Sequence, residues 1–201
     1  MKLYGFPMSP NVRRVQIALE EAGKAYELVP VDLTQGEHKK PDYVSMNPHG
    51  RVPTLVDGEL VLWESHAICD YVAALCPEAK LSGQNPEEIG RIAQWTYLNA
   101  AHFGPAFAGL FAHTIRLPEE QRIARIAENG RAEAQRIFAV LDRALEGKSF
   151  LVGERITLAD ISFAPSLAFA PMLGFELGEW PNVSRWIASL RERPSVKKVL
   201  G

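Results

Sequence analysis

Apolar and polar positions change their rhythm once along this chain. Through the first ~80 residues short apolar runs alternate with amphipathic stretches. Lys2–Phe6 reads as a strand. Pro10–Ala22 reads as a helix, with Val12, Val15, Ala18, Leu19 and Ala22 on one face and Gly23 as its stop. Tyr26–Leu33 reads as a second strand, and the polar stretch TQGEHKKPDYVSMNPHG as surface loop with a short helix near Pro41–Met46. Arg51–Val56 and Glu59–Leu62 flank Asp57-Gly58, a strong signal for a type I′ hairpin. A helix from Ser65 to about Leu75 completes an order of β-α-β, long loop, β-β-α, which calls for a mixed sheet with helices packed on it.

From about Pro86 the strand rhythm disappears. Glu87–Leu110, Glu119–Leu145, Leu158–Phe169 and Val183–Arg191 all show helical spacing, with a break or kink expected at Gly104-Pro105. The expected organisation is an α/β unit over residues 1–77, a linker over 78–85 where Pro, Gly and Ser gather, and an all-helical unit over 86–201.

Composition narrows the chemistry. With 47% hydrophobic and 23% charged residues, disorder is not expected. A net charge of -2 supplies no basic field for nucleic acid. Pro7 and Pro10 interrupt the N-terminus before an apolar leader develops, and no run of ~18 apolar residues occurs, so the expectation is a cytoplasmic protein without a membrane partner. The five histidines and two cysteines show no metal-ligand spacing, so no metal is expected. Cys69 and Cys76, seven apart on a helix, would hold their α-carbons roughly 10 Å apart, which suits reduced core thiols rather than a disulfide.

Several residues suit either structure or chemistry. Ser9, followed by Pro10, has the form of a helix N-cap, yet a hydroxyl at a helix N-terminus also suits hydrogen bonding to a thiolate. Val52-Pro53 opens a strand: trans, it is an ordinary strand start, and cis, it would free the Val52 N–H and C=O for an extended peptide. Glu64-Ser65 starts a helix, either as dipole partner and cap or as holders of an ammonium and a carboxylate. His38, Lys39 and Lys40 form either a solvated surface or a second carboxylate site. Thr157 and Asp160 read as a capping box with Ile156 and Ile161 as its staple, a folding device. Phe103, Phe107 and Phe111 recur at helical spacing, the usual pattern of a core stripe.

Taken together, GFPMSPNVRRVQIALEEAG and GEHKKPDYVSMNPHGRVPTLVDGELVLWESHAI resemble the N-terminal thioredoxin-like domain of cytosolic glutathione S-transferases, in the serine-type, phi-like and bacterial style. The resemblance covers most of residues 1–76 through S-x-x-x-R-R, G-E-H-K, N-P-x-G-x-V-P and E-S-x-A-I. It implies a thioredoxin-like domain followed by an all-helical one, and a catalytic Ser9 at the glutathione sulfur. It also implies that His38 and Lys39 approach the glycine carboxylate, Arg51, Val52 and Pro53 the peptide backbone, and Glu64 and Ser65 the γ-glutamyl end. Asn11 is a second donor candidate for the sulfur, whereas Tyr4 falls within the first strand. Arg51 departs from the glutamine common in the phi class. Phe103 and Phe107 are expected to line a pocket for a small hydrophobic electrophile. The activity implied is thiolate addition or substitution in a homodimer, with glutathione as co-substrate and no other cofactor. A non-catalytic binding or assembly protein, and a glutathione-dependent peroxidase or isomerase, are the alternatives.

Overall fold

A computed structural model describes all 201 residues. The first half runs β1 (Lys2–Gly5), α1 (Pro10–Glu21), β2 (Glu27–Pro30), α2 (Pro41–Met46), β3 (Thr54–Asp57), β4 (Leu60–Trp63) and α3 (Ser65–Leu75). The sheet order is β2-β1-β3-β4, with β1 parallel to β2 and antiparallel to β3, and β3 antiparallel to β4. This is the mixed sheet expected from the alternating patterns.

Local chemistry sets the boundaries. Pro10 supplies a φ suited to the first helical turn, and Gly23 (φ 64) turns the chain out of α1 in the left-handed conformation. The β3-β4 hairpin pairs Asp57 with Leu60, so its two-residue loop is Gly58-Glu59. Gly58 (φ 61) carries the positive φ and Glu59 does not, which is the pattern of a type II′ turn rather than the expected type I′. Strand β3 starts at Thr54 instead of Arg51, beyond a cis Val52-Pro53 bond.

The second half contains α4 (Pro86–Leu98), α5 (Gly104–Phe111), α6 (Ala124–Ala144), α7 (Leu158–Leu167), α8 (Pro181–Arg191) and α9 (Pro194–Leu200). The break expected at Gly104-Pro105 does not occur. A π-helical segment, Asn99–Phe103, joins α4 to α5, and the Gly104 N–H reaches the Asn99 carbonyl five residues back. That wider turn accommodates the proline, which has no N–H and cannot follow an α-turn without a clash. A second π segment, Ala112–Arg116, follows α5. Helix α9 lies beyond Arg191, where the helical spacing of the sequence ends.

All ten residues of α7 are buried, and its start is held by Asp160. The Asp160 carboxylate accepts from the N–H groups of Leu151 (2.9 Å) and Thr157 (3.0 Å) and from the Trp186 indole (3.1 Å). The Thr157 hydroxyl also donates to it at 3.2 Å, so the box closes through the carboxylate. Burial nevertheless pushes this carboxyl up to about 6. One core cluster runs through both halves, from Leu3, Val15 and Ile68 to Phe138, Phe163 and Trp186. Arg193 clamps Glu21 of α1 through two 2.7 Å bonds, joining the chain's last helices to the sheet unit. The 78–85 segment is likewise fixed: Leu81 is buried, its carbonyl accepts from the Leu158 N–H, and Arg155 reaches Lys80 and Ser82 carbonyls.

Candidate active site

One cleft of about 950 Å³ opens between the sheet unit and the helical half. Ser9, Asn11, His38, Lys39, Arg51, Val52, Pro53, Glu64, Ser65 and Phe107 all line it. Phe103 does not: it is fully buried, packed against Phe107, Phe138 and Phe163 at ring separations of 5.1–5.9 Å. Helical periodicity puts Phe103 and Phe107 on one stripe, but Phe107 stands one turn nearer the cleft, beside Phe111 and Phe169.

Ser9 occupies the N-cap position of α1, with extended backbone, yet its hydroxyl makes no capping bond. The first-turn N–H groups of Asn11 and Val12 also bond nothing within the chain. A free hydroxyl and free amide donors therefore meet at the positive end of a twelve-residue helix, an environment that favours an anion.

Beneath it lies Arg14, a residue whose role the sequence reading missed. Arg14 is 3% exposed, and its guanidinium pairs with no carboxylate. It donates instead to Asn11 Oδ1 (2.7 Å), Ser65 Oγ (2.7 Å), Asn99 Oδ1 (3.0 Å) and the Ser162 carbonyl (2.9 Å). Burial lowers its pKa to about 10, so it remains a cation at neutral pH. Because Arg14 donates to the Ser65 oxygen, the Ser65 proton is left to point elsewhere. The sequence signal is faint: Arg14 stands at the edge of the apolar face of α1, one turn before Ala18, and is buried with Val12, Val15 and Ala18.

His66, the variable position of E-S-x-A-I, joins the same network. Its Nε2 lies 3.2 Å from Asn99 Oδ1, and burial together with the Arg14 charge holds its pKa down to about 3. His66 is neutral at physiological pH. Asn99 is fully buried, and its Nδ2 has no partner.

The loop before β3 is a rigid frame. Tyr43 Oη and Asn47 Nδ2 both donate to the Arg51 carbonyl at 2.7 Å and both meet Thr54 Oγ1. Gly50 adopts φ 59, and a side chain there would meet the His38 carbonyl at 3.0 Å, so the N-P-x-G motif needs its glycine. Lys39 Nζ donates to the Gly50 carbonyl at 2.8 Å. Neither backbone polar group of Val52 has a partner within the chain, which leaves an open pairing edge. Glu64, at the start of α3, holds φ 70, a strained conformation for a residue with a Cβ, and its carboxylate forms no ion pair. Burial and neighbouring Lys39 lower the His38 pKa. Burial pushes the Cys69 thiol up to about 12, which leaves it unreactive.

Thus the cleft offers cationic and hydroxyl side chains, an open backbone edge, a free hydroxyl at a helix N-terminus and an aromatic wall. Residues 1–74 match the family "Glutathione S-transferase, N-terminal domain" and residues 105–194 match "Glutathione S-transferase, C-terminal domain". A probable glutathione S-transferase of Oryza sativa subsp. japonica is 36% identical over 99% of this chain and 95% of its own. The crystal structure of glutathione transferase F2 from Populus trichocarpa superposes with a TM-score of 0.89 at 32% identity, covering 99% of this chain and 96% of that one. A glutathione transferase of Phanerochaete chrysosporium, solved with oxidized glutathione, gives a TM-score of 0.91 at 32% identity, covering 98% and 92%. The chain belongs to the glutathione S-transferase family. These relatives come from plants and a fungus, and lend no support to the bacterial style expected from the motifs.

Proposed function

We propose that this chain is a serine-type, phi-like cytosolic glutathione transferase that ionises the glutathione thiol at Ser9 and delivers the thiolate to a small hydrophobic electrophile. The carrying observation is the uncommitted Ser9 hydroxyl at the unbonded N-terminus of α1, in the same cleft as Val52, Glu64 and Ser65. In this reading the Ser65 hydroxyl, backed by Arg14, and the α3 N-terminus hold the γ-glutamyl carboxylate, and Glu64 meets the ammonium. Val52 pairs with the cysteinyl backbone, Arg51 and Pro53 flank it, and His38 and Lys39 face the glycine carboxylate. Asn11 Oδ1 is committed to Arg14, which leaves its Nδ2 as a supporting donor near the sulfur.

Ordinary thiols ionise near pH 8.5, so stabilising the thiolate by two pH units is worth about 2.7 kcal/mol. Hydrogen bonding to an anion and a helix N-terminus are together of that size. Phe107, Phe111 and Phe169 then form the wall that holds an apolar electrophile against the sulfur. No helix is long and apolar enough to cross a membrane. Exposed Trp63 on β4 and Tyr97 on α4, at 41% and 68% exposure, support a homodimer that would cover them. The test is glutathione conjugation to 1-chloro-2,4-dinitrobenzene. Wild type should turn over and Ser9→Ala should lose about 10- to 100-fold in kcat near pH 6.5; a Ser9→Ala enzyme as fast as wild type would remove Ser9 from the mechanism.

A further inference from the structure

The helical side of the cleft is aromatic and carries one cation. Arg116 closes the second π segment, is exposed, lines the cleft with Phe111, Phe169 and Met172, and forms no ion pair. Adjacent Arg122 is already spent on the Leu117 and Ile115 carbonyls. Glu119 and Glu120, next along the chain, are exposed and leave Arg116 unpaired. The only carboxylate in the cleft lining is Glu64, on the α3 side. On that same side Phe111 and Phe169 meet edge to face at 5.9 Å, and the Arg13 guanidinium lies 5.6 Å from the Phe169 ring centre. A planar, apolar ring with an anionic substituent complements this surface, the ring against the phenylalanines and the anion on the guanidinium fork.

We propose that Arg116 is a specificity-determining residue that selects aromatic electrophiles bearing a carboxylate. The proposal rests on the transferase reading and names its substrate class. In the test reaction the thiol proton leaves to solvent and the thiolate sulfur attacks the chlorine-bearing ring carbon. A C–S bond forms and chloride departs with the C–Cl electron pair, so no further reactant is needed.

The experiment compares 4-chloro-3,5-dinitrobenzoate with neutral 1-chloro-2,4-dinitrobenzene in wild type, Arg116→Gln and Arg116→Lys. Ratios of variant to wild type cancel the intrinsic reactivity of each arene. Arg116→Gln should lower kcat/KM for the benzoate about tenfold and change the neutral substrate less than about twofold. Arg116→Lys should retain most of the benzoate activity, and salt near 1 M, with a Debye length of about 3 Å, should shrink the wild-type advantage. Equal losses on both substrates, or none, would overturn the assignment. If wild type turns over neither arene, the transferase reading fails, and calorimetric binding of the two presynthesised glutathione conjugates decides Arg116 separately. Weaker binding of only the carboxylate conjugate by Arg116→Gln upholds it; equal binding of both, or binding of neither to wild type, refutes it.

Discussion

Replacing Arg14 by Met removes a buried cation while retaining most of the side-chain volume, and the structure sets the expected cost. Four acceptors lose a charged donor: Asn11 Oδ1, Ser65 Oγ, Asn99 Oδ1 and the Ser162 carbonyl, the last of which ties α1 to α7. At about 1.5–3 kcal/mol for each bond to a charged group, the gross loss is about 6–12 kcal/mol. Against it stands the several kcal/mol that desolvating a guanidinium without a carboxylate partner costs in the folded state. The net destabilisation should be about 2–4 kcal/mol, enough to move the urea midpoint by about 1 M or more for a chain of this size. Glutathione affinity should fall at least tenfold, because the Ser65 hydroxyl loses the donor that orients it. Arg14→Lys should recover only part of either loss, since one ammonium cannot reach four acceptors spread around a planar fork. Equilibrium urea unfolding and calorimetric titration with glutathione measure both. An Arg14→Met protein with an unchanged midpoint and unchanged affinity would refute the view that Arg14 organises the cleft.

Other perturbations probe the frame around it. Asp160→Ala strands the buried donors of Leu151, Thr157 and Trp186 and should cost about 3–5 kcal/mol in urea unfolding, with Asp160→Asn only partly better because its amide turns donors toward donors. Gly50→Ala forces a side chain into φ 59 against the His38 carbonyl and should destabilise by about 1–3 kcal/mol while weakening glutathione binding; unchanged stability would show that the loop can relax. His66 supplies the pH prediction. The unfolded chain takes up a proton near pH 6.5 and the folded one only near about 3, so stability is full above pH 6.5 and declines as pH falls through that window. The decline from this group is at most about 1.4 kcal/mol per pH unit, and His66→Gln should flatten the stability profile by that amount; parallel profiles would sink the assignment.

What the sequence disclosed follows how local each signal is. Helix α1 was legible to within a residue because Pro10 and Gly23 mark its ends, and the hairpin was legible because Asp57 and Gly58 interrupt two apolar runs, although the turn type depends on which side of Gly58 the loop falls. The continuity of the helix through Pro105 was not legible, since it depends on a π turn that no residue pattern announces. Helix α9 is seven residues long and gains its place from contacts with α1 and α8 rather than from its own pattern. Motif chemistry brought Ser9, His38, Val52, Glu64 and Ser65 to one cleft across four separate segments. It missed Arg14 and His66, whose importance lies in burial, and Arg116, which is significant only because α5 and the π segment after it carry it to the rim. Phe103 shows the converse limit: periodicity finds a face, but not which member of that face the neighbouring helices cover.

In the proposed mechanism Ser9, at the free N-terminus of α1, stabilises the glutathione thiolate. Its most direct test is a pH titration of the ultraviolet thiolate absorbance of glutathione bound to wild type and to Ser9→Ala. The thiol bound to wild type should ionise about two pH units below free glutathione, and Ser9→Ala should still bind glutathione but lose most of that shift. Glutathione that binds wild type with the ionisation of the free thiol, or an undiminished shift in Ser9→Ala, would contradict it.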